Sequence, residues 1–127
     1  MNTLYHVTTE ENLATIASEG LRPNSYWASD SAVVAYYKDV ICYEGQSPVV
    51  LELPLEALAG HDLQPDKPGL EEPISCAIGM DEDEVWEAWE GTDRSWQACL
   101  ELIGSVRCAS SIGLEVLALH NPMLSTG

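Results

Sequence analysis

The residues able to do chemistry crowd the first forty positions. They read Leu4-Tyr5-His6-Val7-Thr8, then a stretch closing in Glu19-Gly20-Leu21-Arg22-Pro23, then Ser25-Tyr26-Trp27-Ala28-Ser29-Asp30 running on to Tyr36-Tyr37. His6 carries a ring that donates and accepts hydrogen bonds near neutrality. Thr8 adds a hydroxyl and backbone groups beside it. Tyr26, Trp27, Tyr36 and Tyr37 supply aromatic faces. A strand-end histidine and aromatics from adjacent elements can form a clamp, with hydrogen bonds to a ligand's hydroxyls and flat faces around a planar ring. The same residues have ordinary readings, His6 as a hydrogen-bonded structural residue and the aromatics as core or rim.

Other chemistries lack their motifs. The chain has no G-x-G-x-x-G, Walker loop or H-E-x-x-H, and no G-x-S-x-G. His6, His61 and His120 are not at metal-ligand spacings. Cys42, Cys76, Cys99 and Cys108 form no C-x-x-C pair, which disfavours a zinc site or a disulfide framework. They read as reduced core or half-buried thiols, and no base is apparent beside any of them.

The elements that must position these residues follow from pattern. Thr3 to Val7 is β-branched and aromatic, hence a strand. Thr8 and Glu11 form a capping box for a helix with the stripe Leu13, Ile16, Ala17. Gly20 and Pro23 stop that helix. Ser25 to Ala28 is a short aromatic strand. Ser29 or Asp30 caps a second helix reaching about Ile41. Val49 to Leu53, between Pro48 and Pro54, is the clearest strand, with a helical turn at Leu55 to Leu58. His61 to Gly79, rich in proline, reads as a long loop. Val85, Trp86 and Trp89 mark a helix over Asp81 to Glu90, its tryptophans read as core. Thr92 or Asp93 caps the next helix, with Trp96, Cys99, Leu100 and Ile103 as its stripe and Gly104 as its stop. Ser105 to Cys108 and Leu114 to Leu119 read as the last two strands.

The first forty residues resemble the ADP-ribosyltransferase fold, in the branch marked by a His-Tyr-Glu triad. That branch includes the poly-ADP-ribose polymerases and many small bacterial and phage transferases. Its members open with a Tyr-His-x-Thr/Ser strand end and a helix finishing in Gly-Leu-x-Pro, followed by an aromatic strand and a small-residue helix ending in tyrosines. The resemblance covers residues 3 to 38 well, residues 49 to 54 loosely, and little after residue 60. It implies an α+β domain spanning residues 1 to 127, with split antiparallel sheets forming a cleft flanked by helices. It also implies NAD as substrate and cofactor. His6 would hold a ribose hydroxyl and Thr8 would help close the nicotinamide end. Tyr26 would be the triad tyrosine and Tyr37 the second stacking aromatic. Trp27 competes with Tyr26, since many small members carry Tyr-Leu-Thr-Asp where this chain has Trp27 to Asp30. Tyr36 is the alternative to Tyr37. The catalytic carboxylate should come late in the chain. Glu101 fits if a strand begins near Cys99, and faces water if Trp96 to Ile103 is helical. Glu115 and Glu72 are the alternatives.

Composition bounds the partners. In 127 residues, 21 acids face five bases, for a net charge of −16. That surface repels nucleic-acid backbones and anionic membranes. It also disfavours the related 2′-phosphate transfer from RNA. Nine acids and no base lie between Glu71 and Asp93, a pattern of a solvated helix face. The start lacks a signal peptide and no apolar run approaches a membrane span, which points to the cytoplasm. Two functions follow as expectations. One is NAD-dependent mono-ADP-ribosylation of a protein acceptor with nicotinamide release, with NAD hydrolysis as its variant. The other is a non-catalytic acidic binding module, such as a phage-type inhibitor of a host protein.

Overall fold

The computed structural model describes residues 3–29, 31–66, 79 and 81–124. Among these, the chain runs β1 (Thr3–Thr9), α1 (Glu10–Glu19), β2 (Ser25–Ala28), α2 (Ser31–Tyr43), β3 (Pro48–Pro54), α3 (Leu55–Leu58), β4 (Leu63–Pro65), α4 (Glu82–Glu90), α5 (Trp96–Ile103), β5 (Ser105–Cys108) and α6 (Leu114–His120). A 3-10 turn, Pro122–Leu124, follows. The five strands form one sheet in the order β3-β1-β2-β5-β4. Every pairing in it is antiparallel. The architecture is therefore mixed α/β around a single five-stranded antiparallel sheet.

The pairing is uneven across that sheet. β1 and β3 match at seven positions, from Thr3 opposite Pro54 to Thr9 opposite Pro48. β2 and β5 match at four, including Tyr26 opposite Arg107 and Trp27 opposite Val106. β1 and β2 match only where Tyr5 lies opposite Ala28. Beyond that pair the two strands part, so a β3-β1 ribbon and a β2-β5-β4 ribbon meet at one seam.

Strand alternation sends side chains to two faces. Leu4, Trp27, Leu51, Leu53, Val106 and Cys108 share one face and pack with Ile16, Leu21, Ile112 and Leu117. A second cluster joins Ala28 to Val33, Val85, Trp89, Cys99 and Ile103. The stripe Leu13, Ile16, Ala17 faces the first cluster as its spacing predicts.

Local physics explains where the structure departs from the sequence pattern. Thr9 caps α1, its hydroxyl accepting from the Asn12 N–H at 3.1 Å. Thr8 therefore stays in the strand, because pairing with β3 extends β1 one residue past the expected cap. Ser95, not Thr92 or Asp93, caps α5. Asp93 instead accepts from the Ser95 N–H and hydroxyl, and those bonds hold its carboxyl below the usual range. Leu114–His120 is a helix, not a strand. Its leucines, alanine and glutamate favour helix over the single β-branched Val116. The span expected as one loop after His61 contains β4, a three-residue strand ending in Pro65 at the sheet's edge. Trp86 is 43% exposed, and so is not core. Cys42 is exposed, whereas Cys99 and Cys108 are buried. Asp30, Pro68, Pro73 and Cys76 lie outside the described residues.

β3 is an edge strand, and Asn121 closes it. The Glu52 N–H donates to Asn121 Oδ1 at 2.8 Å, and Asn121 Nδ2 donates to the Glu52 carbonyl at 2.9 Å. Nδ2 also donates to the Leu117 carbonyl at 2.9 Å. The side-chain amide thus acts as one residue of a further strand. Asn121 is buried, so Asn121→Ala would strand buried backbone groups. Denaturant unfolding should register a loss of about 2–3 kcal/mol.

Candidate functional site: the His6 cavity

Where β1 and β2 part, a cavity of about 300 Å³ opens against α1. His6 and Thr8 line it from β1, Asn12 and Thr15 from α1, and Arg22 and Asn24 from the segment leading into β2. The placement has local causes. Thr9 turns the chain into α1 directly after Thr8, and Gly20 turns it back. Gly20 adopts φ 76°, a left-handed value, and its N–H closes the helix on the Ile16 carbonyl at 2.8 Å. Asn24, also left-handed at φ 70°, donates its N–H to the Cys108 carbonyl at 2.8 Å. That bond fixes the far wall to β5.

His6 is held at the seam. Its Nδ1 lies 2.8 Å from the Tyr26 carbonyl. A carbonyl only accepts, so Nδ1 carries the proton and Nε2 is the ring's acceptor in the neutral form. This bond bridges the seam, since the Tyr26 carbonyl is met by a side chain of β1 where a ladder bond would otherwise run. The imidazole packs against Trp27, with ring centroids 5.4 Å apart and planes tilted by 37°. Trp27 is fully buried and donates from Nε1 to Ser25 Oγ at 2.9 Å.

Burial lowers the His6 pKa below its ordinary 6.5, and the bond to Tyr26 offsets this only in part. Unfolded His6 takes up its proton near 6.5, whereas folded His6 resists it. The unfolded state therefore binds more protons below pH 6.5, and stability falls as pH drops below that value. Denaturation midpoints measured between pH 7.5 and 5 should decline, and His6→Gln should flatten the part of that slope nearest 6.5.

The expected site residues separate into two groups. His6, Thr8 and Trp27 lie together on the cavity side. Tyr26 turns its side chain to the opposite face, level with Arg107 on β5. There it joins Tyr36 and Tyr37, whose rings meet edge to face with centroids 5.5 Å apart. Burial raises the Tyr37 pKa, and the charges of Asp66, Tyr36 and Tyr26 raise it further. Asp66 is buried and accepts from Ser105 Oγ at 2.7 Å. The Tyr26 carbonyl is the one described link between this group and His6.

The carboxylates expected late in the chain do not border the cavity. α5 is helical through Glu101, which is exposed. Glu101 lines a separate groove with Ser29, Leu55, Trp96 and Leu100. Glu115 is exposed on α6. Glu72 lies outside the described residues. Cys99, buried beside Asp66, has its thiol pushed up to about 12 by burial, which makes it a poor nucleophile.

Sequence reasoning missed Asn12, Thr15 and Asn24 in the wall, and Asp66 in the tyrosine group. Only Asn24 left a signal, since asparagine tolerates the left-handed conformation that the turn requires. Among the described residues, no group of three or more His, Cys, Asp or Glu could hold a metal ion. None of their helices is long and apolar enough to cross a membrane. No protein-family model, curated protein or solved structure matches the chain.

Proposed function

We propose that this chain binds NAD by its nicotinamide-ribose end in the His6 cavity, and that it is a mono-ADP-ribosyltransferase domain acting on a protein acceptor. The observation that carries the reading is the parted β1–β2 seam. There His6 is oriented by Tyr26 and packs half-buried beside Trp27, and it borders a polar cavity of about 300 Å³. A cavity of that size takes a nucleoside-sized fragment and leaves the rest of a dinucleotide outside. Nε2 is the acceptor for a ribose hydroxyl, and Thr8 and Asn12 add hydrogen-bonding groups. The two-ribbon sheet suits the split-sheet cleft that the ADP-ribosyltransferase resemblance implies.

Breaking the nicotinamide bond requires a carboxylate beside the ribose to stabilise the developing cation. Glu101 and Glu115 do not border the cavity, which leaves Glu72, outside the described residues, as the candidate of the three. Glu101→Gln and Glu115→Gln should leave NAD binding unchanged, since neither residue borders the cavity. Nicotinamide release from NAD, followed by chromatography with and without a protein extract as acceptor, tests the activity. Release with labelled protein supports transfer, and release without it supports hydrolysis. No release from a folded protein that binds NAD would restrict the function to binding.

One observation favours a second reading. On α4, Trp86 stands 43% exposed among Asp83, Glu84, Glu87 and Glu90, all exposed. An exposed aromatic within a field of acid suits a basic protein surface. On this reading, reversing the charges of Asp83, Glu84 and Glu87 would abolish partner binding, and His6→Ala would not affect it.

A further inference from the structure

α5 is unusually apolar for a helix at the surface. Six of its eight residues are apolar, in the order Trp96-Gln97-Ala98-Cys99-Leu100-Glu101-Leu102-Ile103. Cys99 and Ile103 are its buried stripe. Trp96 and Leu100 form one shoulder, packed against the first core cluster. Ala98 and Leu102 form the other, packed against the second. Both shoulders are only half-buried, and the ridge between them, Gln97 and Glu101, is exposed. A helix apolar nearly all round ordinarily lies in an interior.

A groove runs along each shoulder. The first, of about 500 Å³, has half-buried Leu55, Trp96 and Leu100 as its apolar lining, with exposed Ser29, Gln97 and Glu101 at its lip. The second, of about 290 Å³, lies between α4 and α5 and is lined by Ala88, Thr92, Ala98 and Leu102. Glu101 borders both. The surrounding charge has one sign. From Asp81 to Gly104, eight acids face Arg94 alone. Glu84 and Glu87 precede Ala88 on α4, Glu84 by one helical turn, and Glu56 follows Leu55 on α3. All three are exposed.

We infer that this pair of grooves is the docking site of a basic amphipathic helix of a partner protein. Its apolar side chains enter the grooves on either side of Glu101, and its lysines or arginines meet Glu101 and the flanking acids. Helix-in-groove recognition has this form, with apolar anchors one helical turn apart. The apolar lining provides affinity, and the acids select the sign of the partner and speed its encounter. A second copy of this chain suits the grooves poorly, since each copy carries a net charge of −16. The inference is independent of the NAD reading. It rests on the basic-partner reading of α4 and adds to it the apolar anchor site.

The test is titration of the full chain, followed by NMR and calorimetry, with three synthetic peptides. The first carries leucine and lysine at helical spacing. The second has alanine for each leucine, and the third has glutamate for each lysine. The leucine-lysine peptide should shift the amide signals of α5 and the Trp96 indole. It should bind about tenfold or more tighter than the alanine-lysine peptide, the scale of one buried leucine. The leucine-glutamate peptide should not bind. Glu101→Lys should weaken the leucine-lysine peptide about tenfold. Glu11→Lys, an equal change of net charge at an exposed position of α1, should have little effect. Both positions are exposed, so both variants should keep the wild-type thermal unfolding. Equal affinity for the two lysine peptides, or equal losses in the two variants, would overturn the grooves. If that binding still disappeared on charge reversal of Asp83, Glu84 and Glu87, the basic-partner reading would stand without them. A dimer in sedimentation, with α5 signals that change on dilution, would reassign the grooves to a second copy. No binding of either lysine peptide would reject both the grooves and the basic-partner reading.

Discussion

Gly20→Ala is expected to cost about 2–6 kcal/mol of stability, one of the two largest single-residue effects in this fold. Two costs combine. At φ 76° and ψ −167° the backbone lies in a region essentially restricted to glycine, which costs an L-residue roughly 1–3 kcal/mol. A Cβ at that position would also lie 2.5 Å from the Ile112 carbonyl oxygen and 3.0 Å from the Leu114 nitrogen. Both obstacles are backbone, and neither can swing aside. The Ile112 carbonyl is further committed, since it accepts the Leu21 N–H at 2.9 Å while the Ile112 N–H donates back to Leu21. Relief therefore has to move the start of α6 away from α1, at an overpacking cost of about 1–3 kcal/mol. Because the same turn carries Leu21 and Arg22 into the cavity wall, the variant should lose ligand affinity together with stability. Urea unfolding followed by circular dichroism measures the first effect. Gly104→Ala, at φ 70° and ψ 27° in the left-handed helical region, has a smaller conformational cost of about 1–2 kcal/mol and serves as a comparison away from the cavity.

The second large effect is Trp27→Ala, expected to cost about 3–5 kcal/mol. Trp27 is fully buried among Leu4, Leu51, Val106 and Ile16 in the larger core cluster. Removing its ring leaves a cavity among these packed neighbours. It also removes the flat surface against which His6 packs, and it leaves Ser25 Oγ without its indole donor. Trp27→Phe separates these roles. It retains most of the packing and loses the Nε1 hydrogen bond, so it should cost nearer about 1–2 kcal/mol. If Trp27→Ala proved as mild as Trp27→Phe, the packing described around the seam would be wrong.

Much of the scaffold was legible because its signals are local. Glycine stops and the apolar spacings of α1 and α5 each act within one or two turns, whereas the expected caps, Thr8 for α1 and Thr92 or Asp93 for α5, gave way to Thr9 and Ser95. The strand between Pro48 and Pro54 was visible for the same reason, with proline at both ends and alternating burial between them. Tertiary contacts decided what sequence could not. β4 is a strand because β5 provides it with partners, as Leu63 opposite Cys108 and Pro65 opposite Val106. Three residues cannot announce this by pattern. Leu114 to Leu119 carries both a β-compatible composition and a helical spacing, and its packing against β3 and α1 selected the helix.

The site shows the same division. His6 was legible as a strand-end histidine, and Thr8 as its neighbour. Register decided the rest. Tyr26 and Trp27 are adjacent in sequence and compete for one role, and alternation places only Trp27 on the His6 face. The notion that Glu101 begins a strand fails because Ser95 caps a helix that continues to Gly104.

NAD binding in the His6 cavity is decided by calorimetric titration of NAD into the wild type and into His6→Ala, with the fold of each verified by thermal unfolding. The wild type should show saturable one-to-one binding, and His6→Ala a loss of at least about tenfold, the scale of one hydrogen bond and its ring contact. Wild-type protein that is folded and fails to bind millimolar NAD, or a His6→Ala variant that binds it as well as the wild type, would contradict the account.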